Sequence, residues 1–480
     1  MSLHSSTGAL VLCFAAAAAA PSQTLQKLVN QPPNGAGLSF LLTDGTVMCQ
    51  GNSLSDWYKL TPDITGSYLN GTWTQLASLP AGYAPDAFSS AVLADGRLVI
   101  VGGEYNLNGF ALTNLGAIYD PRSNTWTPLQ PPTGWAYIGD SPSVVLPGGD
   151  FLIGRKLDKR MAKLNPATLQ WTEVRSAGKS DFNAEEGWTL LPDGTVLTVD
   201  VKKAPNSERY TVSAGAWVSQ GSTIVDLHAP STSGPIPYGP GLIYYPPGEV
   251  GPAVLRPDGT VFATGAANTG SGHTAIFQPG PSSSVPGTWT VGPDFPNDAA
   301  GDESAVLLPN GNVLVVGNSG RLYEFDGSKL IPEMGTAPFA LMMMLPTGQA
   351  LVNGGNALIY TPTGTYQPGW APAINKYSSA VTRGSTYSIS GTQFNGLSQA
   401  AAFGDEYQTA TNYPLVRITN IATGHVFYAR TYNHSTMGVA TGSKIVSTRF
   451  DVPASMETGA GTLEVVANGI PSPAVNVTVH

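Results

Sequence analysis

Acidic residues stand directly before apolar runs at several points along the chain, although charged residues make up only 11% of it. These acids are Asp86, Asp140, Glu185, Glu186, Glu249, Asp302 and Glu303. Carboxylates brought close together repel, and they are normally relieved by a bound cation, by shared protons or by arginine partners. Calcium or another hard cation would suit such oxygen ligands. A pair of carboxylates is also the usual equipment for acid–base chemistry on a sugar, and hydrogen bonding to backbone N–H groups is the structural alternative.

The apolar runs behind these acids recur with a period that predicts the architecture. Each run breaks at a tight turn such as Asp95-Gly96 or Asn310-Gly311, and these residue pairs favour two-residue hairpins. Seven such turns lie between Asp44 and Gly348, a spacing of about 50 residues that is typical of Kelch β-propellers. A tryptophan in a short polar segment precedes five of the turns, at Trp73, Trp126, Trp171, Trp217 and Trp289. We therefore expect an all-β fold with a seven-bladed Kelch-type propeller over residues 23–370.

Blade geometry predicts where the acids lie. Each of them precedes the innermost strand of a blade, and the starts of these strands meet around the propeller axis on one face. Five consecutive blades would then present carboxylates at one channel entrance. We predict catalytic or metal-binding roles for Asp140, Glu185 and Asp302. We predict ligand-binding roles for Asp86, Glu186, Glu249, Glu303, Trp135, Tyr137 and Tyr244.

A different pattern fills residues 371–480. Short alternating segments such as LVRITN and GHVFYART follow one another, and over about 110 residues this is the rhythm of an immunoglobulin-like β-sandwich. A loop of this region, TYNHSTM, carries His434. We predict that His434 approaches the acidic entrance as a further catalytic or metal-binding residue.

Composition and charge indicate which partners the protein can have and in which compartment it acts. The net charge is −9 and lysine and arginine form no cluster, so nucleic acid is not an expected partner. Residues 9–20 form an apolar segment that is too short to span a bilayer and is typical of a secretory signal. We expect residues 1–22 to direct export and the protein to be secreted or at the cell surface, without a transmembrane segment. A mis-started N-terminus is the alternative, and the oligomeric state stays open.

The order of domains, a seven-bladed Kelch propeller followed by a small all-β domain, resembles the galactose oxidase and glyoxal oxidase family of copper-radical enzymes. The resemblance covers nearly the whole chain and implies a copper ion near the axis. In that family two tyrosines and two histidines bind the copper, and one tyrosine is linked to a cysteine. Here Asp140 stands where the linked tyrosine would be, and Pro338 and Phe339 stand where a Tyr-His pair would be. Only His434 matches a ligand position, so copper is not the expected cofactor.

Several functions follow from these residues. The first is recognition of a carbohydrate or another extracellular ligand at the acidic channel mouth. The second is an oxidase of the copper-radical family with altered ligands. The third is a hydrolase or lyase that acts on glycans through paired carboxylates and His434, and an interaction scaffold also fits the Kelch pattern. The cofactor is left open, with a divalent cation such as calcium as the candidate.

Overall fold

The described part of the protein is built almost entirely of β-strands. The computed structural model describes residues 23–238 and 242–480, so the predicted export segment lies outside the described residues. Within these ranges one short 3-10 helix, Pro368–Trp370, accompanies the strands. No described helix has the length and apolar character needed to cross a membrane. The all-β prediction is confirmed.

Seven antiparallel sheets, each with four strands from the propeller or its N-terminal segment, form the blades. Blade one contains Ser39–Leu41, Val47–Gln50, Trp57–Thr61 and Thr72–Gln75. Blade two contains Ser89–Val92, Leu98–Val101, Gly116–Asp120 and Thr125–Pro128. Blade three contains Ser143–Val145, Phe151–Gly154, Met161–Asn165 and Gln170–Val174. Blade four contains Thr189–Leu190, Val196–Val199, Asn206–Thr211 and Ala216–Ser222.

The remaining blades complete the ring. Blade five contains Ala253–Leu255, Val261–Thr264, Thr274–Gln278 and Thr288–Val291. Blade six contains Ala305–Leu307, Val313–Val316, Arg321–Phe325 and Leu330–Thr336. Blade seven contains Leu341–Met344, Ala350–Gly354 and Asn356–Thr361, and the N-terminal strand Thr24–Lys27 forms its outer edge. Because the first strand pairs with the last blade, backbone hydrogen bonds close the ring.

The sequence pattern explains each blade. The second strands, such as Val47–Gln50 and Val313–Val316, are buried along their whole length, as expected for apolar runs between neighbouring blades. Each repeating tryptophan lies on an outermost strand. The indole N–H of Trp126 donates a hydrogen bond to the carbonyl of Ala77, and its ring lies 5.5 Å from that of Trp57 in blade one. This tryptophan therefore seals the junction between two blades.

The C-terminal domain is an immunoglobulin-like sandwich. Its strands are Ala373–Lys376, Ala380–Val381, Thr386–Thr392, Leu415–Asn420, Val426–Tyr432, Val446–Asp451, Gly459–Ala467, Ile470–Pro471 and Val475–Val479. Val416, Phe450 and Leu463 belong to its separate apolar core. The strand Val426–Tyr432 pairs with different neighbours along its length and so joins the two layers.

One loop of the C-terminal domain enters the centre of the propeller. We call residues 398–409 the axial loop. Its short strand Ala401–Ala402 pairs with the innermost strand of blade six. Gln399 accepts a hydrogen bond from the backbone of blade four, and the hydroxyl of Thr409 donates to the carbonyl of Met342 in blade seven. Contacts with several blades place this loop along the propeller axis.

Two small sheets lie beside the axial loop, at the end where the innermost strands begin. One contains the strands Pro85–Asp86, Tyr105–Asn106 and Gly109–Phe110. The other is the hairpin formed by Ile236–Tyr238 and Leu242–Tyr244. These elements position aromatic and acidic side chains around the channel entrance.

Candidate functional site

Carboxyl groups from five blades surround a cavity of about 380 Å³ at the channel entrance. The predicted residues among its lining are Asp86, Asp140, Glu185, Glu249 and Asp302. The acids that the sequence analysis did not assign to it are Glu104, Asp405 and Glu406, the last two from the axial loop. The structure therefore gathers five of the seven acids that precede the innermost strands into one acidic site.

Two of these acids have an unusual backbone conformation. Glu185 and Asp302 have φ angles of 58° and 57°, in the left-handed region. This conformation costs roughly 1–2 kcal/mol for a residue with a side chain. Strain of this kind concentrates at functional sites, where the surrounding structure holds it in place. Glu185 and Asp302 lie in the segments that lead into the innermost strands of blades four and six, and the surrounding structure has to hold their strained backbone in place.

A buried lysine lies at the base of the cavity. Lys156 is fully buried, and its Nζ contacts the carboxylate of Asp140, lies 2.6 Å from Glu185 Oε1 and lies 3.7 Å from Glu104 Oε1. The same nitrogen lies 5.1 Å from the ring centre of Tyr244. Burial favours the neutral amine, but the negative charges of Asp140 and Glu185 raise the pKa of Lys156 well above its usual value. The ammonium ion therefore neutralises part of the acidic cluster.

Other acids of the cavity retain their protons to higher pH. Burial, followed by the negative charge of Glu185, raises the pKa of Glu249 to about 10 and that of Asp302 to about 7. Burial, with Asp302 and Asp140 nearby, raises the pKa of Glu406 well above its usual value. At neutral pH the cavity consequently presents carboxylic acids together with carboxylates.

Two predicted ligand-binding acids face away from the cavity. Glu186 is fully buried within blade four, where its carboxylate lies 2.7 Å from Lys179 Nζ. Glu303 is buried but is not among the described lining residues. In each pair of neighbouring acids the first lines the cavity and the second is not among the described lining residues.

His434 lies at the opposite end of the channel, which corrects the expectation that it approaches the acids. Its backbone N–H donates a hydrogen bond to the carbonyl of Ala94, which follows the innermost strand of blade two, whereas Asp86 precedes that strand. Its Nδ1 lies 2.9 Å from the Thr448 hydroxyl, and its ring stacks on Tyr413. Burial lowers the pKa of His434 to about 3. The loop of His434 packs against hairpin turns, and the axial loop reaches the entrance in its place.

The predicted aromatic residues divide between the cavity and its surroundings. The hydroxyl of Tyr244 donates a hydrogen bond to Glu185, so this side chain lies at the base of the acidic cluster. Trp135 is buried, and its ring lies 5.6 Å from the Arg155 guanidinium. The Tyr137 ring lies 4.8 Å from the same guanidinium. Trp135 and Tyr137 are not among the described lining residues, so a direct contact with a ligand is not supported for them.

A pattern in the sequence could have identified two of the cavity residues that the sequence analysis did not assign. Glu104 and Lys156 each follow the second strand of a blade. Because that strand runs antiparallel to the innermost one, its end lies beside the start of the innermost strand. Asp405 and Glu406 carry no comparable signal, since only the tertiary path of the axial loop brings them to the entrance.

Comparisons with known proteins support the fold. No protein-family model matches the chain. A stretch of 129 residues is 28% identical to the Kelch-like protein terF of Aspergillus terreus (strain NIH 2624 / FGSC A1156), and it covers 24% of this chain and 28% of that protein. The fold is similar to that of a fungal alcohol oxidase of the AA5 family, solved in complex with copper, with a TM-score of 0.52 and 13% identity over 95% of this chain and 99% of that one. The chain has a galactose-oxidase-like Kelch propeller fold.

The copper site implied by this resemblance does not fit the residues present. The cavity lining that the structure describes contains neither histidine nor cysteine. Asp140, at the position of the linked tyrosine, is engaged by Lys156. Phe339, at the histidine position, is 84% exposed, and Cys49 is buried within blade one. Carboxylates and an ammonium ion stand where phenolates and imidazoles would have to converge, so no copper-radical step follows from this site.

Proposed function

We propose that the acidic cavity binds a sugar residue of an extracellular carbohydrate. The observation that supports this function is the cavity itself, about 380 Å³ in volume and lined by carboxyl groups from five blades and the axial loop. Carboxylates accept hydrogen bonds from sugar hydroxyls, and carboxylic acids such as protonated Glu249 also donate them. The volume falls within the range of small-molecule sites.

An aromatic edge adds a second type of contact. Tyr105 lines the cavity and is 39% exposed. Its ring packs edge-on against Phe110 at 5.9 Å, and Phe110 stacks on Tyr244 at 5.8 Å. Aromatic rings provide apolar faces and, in tyrosine, a polar tip. Such an edge suits a sugar, which has apolar C–H faces as well as hydroxyls.

The charge of the cavity lining indicates which sugars can bind. Eight acidic side chains line the cavity and only one lysine contacts them directly among the described residues. A ligand with its own carboxylate would face like-charge repulsion, which costs affinity. We therefore expect neutral or amino sugars to bind and acidic sugars to be rejected.

Isothermal titration with neutral, amino and acidic monosaccharides and their oligomers tests this function. Glu249→Ala should weaken binding about tenfold, because the hydrogen bonds between its carboxyl group and the sugar hydroxyls are lost. Glu303→Ala is the matched control, since Glu303 is a buried acid outside the described lining. Absence of binding by every sugar, or equal weakening in both variants, would refute the proposal.

Catalysis on the bound sugar is a second candidate function. Glu249 keeps its proton to high pH, and its neighbour Glu185 is engaged by Lys156 and Tyr244. A protonated carboxyl group beside a carboxyl group that pairs with an ammonium ion suits acid–base chemistry. Product analysis by chromatography, with wild-type protein and Glu249→Gln, separates the two functions. Bound sugars that are never converted would leave recognition as the function.

We also propose that the protein acts outside the cell. The apolar segment at residues 9–20 supports this because it has the character of a secretory signal. Expression of the full chain in a secreting host, followed by N-terminal sequencing of the protein in the medium, tests the proposal. Full-length protein retained inside the cells would contradict it.

A further inference from the structure

Three groups of three carboxylates in the described part of the chain are compact enough to surround one ion. Two of them already enclose a lysine. Lys156 lies between Asp140 and Glu185 in the first group. Lys179 lies 2.8 Å from Glu208 in the second group, inside blade four. In both groups an ammonium ion supplies the positive charge that clustered carboxylates require.

In the third group only Asp140 pairs with a lysine among the described residues. It contains Asp140, Asp405 and Glu406, which are 3%, 1% and 5% exposed. Oδ1 of Asp140 and both carboxylate oxygens of Asp405 are buried, and no group within residues 23–238 and 242–480 forms a hydrogen bond with them. Among the described residues no lysine or arginine forms an ion pair with Asp405 or Glu406. An unpaired buried carboxylate is costly, so the ionised form of this group needs a positive charge from outside the chain.

We propose that Asp140, Asp405 and Glu406 form a binding site for a hard divalent cation, with Ca²⁺ as the probe. Their ligand oxygens all lie within 4.8 Å of one another. Calcium binds oxygen at about 2.4 Å, so ligands on opposite sides of the ion are about 4.8 Å apart. Asp140 serves two partners, because its Oδ2 contacts Lys156 while its Oδ1 is available to the cation. Water in the adjoining cavity would complete the six to eight oxygen ligands that calcium takes.

The location of these ligands gives the ion a structural role as well. Asp405 and Glu406 belong to the axial loop, whereas Asp140 precedes the innermost strand of blade three. A shared cation would therefore tie the C-terminal domain to the propeller at the channel entrance. This inference goes beyond the proposed sugar binding and does not depend on it.

Calcium titration of the metal-free full chain, without sugar, tests the site. We expect one Ca²⁺ per chain by calorimetry and by elemental analysis after dialysis, and a rise in Tm on addition of calcium. Asp405→Asn and Glu406→Gln should each weaken binding at least about tenfold, since loss of even a supporting residue costs 10–100-fold. Glu303→Gln removes a buried acid outside the described lining and should bind calcium as the wild type does.

Each outcome bears on the proposal. Absence of calcium binding at millimolar concentration, or wild-type affinity in both ligand variants, would overturn it. The metal-free variants should have a Tm at least equal to that of the metal-free wild type, because neither Asp405 nor Glu406 has an ion-pair partner to lose among the described residues. A lower Tm in both variants would show that these side chains have stabilising partners and would also overturn the proposal. A failure of sugar binding alone would leave the cation site intact.

Discussion

Replacement of Lys156 by methionine removes the ammonium ion at the base of the acidic cavity and keeps a long, flexible side chain. The ammonium contacts Asp140 directly and lies 2.6 Å from Glu185 Oε1. These three side chains are 0%, 4% and 7% exposed. In Lys156→Met the two carboxyl groups would lose their counter-charge.

The expected loss of stability follows from this burial. Removal of one partner from a buried ion pair costs about 3–5 kcal/mol, because the other charge stays buried without compensation. For a large domain 1 kcal/mol corresponds to a change in Tm of about 2 °C. We therefore expect Lys156→Met to lower the Tm by about 6–10 °C at pH 7. Salt should change this difference little, since buried charges are weakly screened.

Thermal unfolding of the wild type, Lys156→Met and a control variant checks the prediction. Lys163→Met is the control, because Lys163 lies 2.7 Å from Asp150 Oδ2 but is 36% exposed. Exposed ion pairs contribute about 0–1 kcal/mol, so the Tm of Lys163→Met should change by about 2 °C at most. Calcium should raise the Tm of Lys156→Met more than that of the wild type, because the ammonium no longer repels the ion. Equal Tm values for the two variants would refute the role assigned to Lys156.

Two further predictions concern groups outside the proposed cation ligands. Burial raises the pKa of Asp200 to about 7, against the opposing effect of Lys179, so the stability due to its protonated form is lost as the pH rises from about 4 to 7. Asp200→Asn stays neutral and should gain up to about 4 kcal/mol relative to the wild type between pH 4 and pH 8 in urea unfolding; a constant difference would contradict this. Tyr407→Phe removes a hydroxyl that donates to Asp86 Oδ1 at 2.6 Å and should cost about 1–3 kcal/mol in the same assay. Unchanged stability of Tyr407→Phe would show that this bond does not hold the axial loop.

The propeller was predictable from local patterns. The glycines of the Asp-Gly and Asn-Gly pairs have positive φ, 85° at Gly96 and 90° at Gly311. Asp95 and Asn310 do not, and the flanking hydrogen bonds enclose three residues, so these turns are three-residue loops rather than the expected two-residue hairpins. The apolar runs on either side of these turns became the two inner strands of each blade. The repeating tryptophans became outer-strand residues, because only a large side chain covers the junction between neighbouring blades. These features depend on residues close together in sequence, so the sequence reveals them.

The candidate site was predictable only in part. Counting along the blades placed Asp140, Glu185 and Asp302 correctly at the entrance, because their positions follow from the repeat. The same counting included Glu186 and Glu303, since it did not consider which of two successive side chains faces the axis. It also assigned His434 to the entrance, although the loop that carries it packs at the other end of the channel.

The sequence by itself determined the strands, the hairpins, the number of blades and the end of the channel at which acids collect. These properties arise from backbone preferences and apolar periodicity, which act over a few residues at a time. The tertiary structure alone decided how the acids are neutralised. Lys156 meets carboxylates from neighbouring blades, and Asp405 comes from another domain and has no hydrogen-bond or ion-pair partner in the described part of the chain. Electrostatic energy depends on distance in space and on burial, and the tertiary structure sets both quantities.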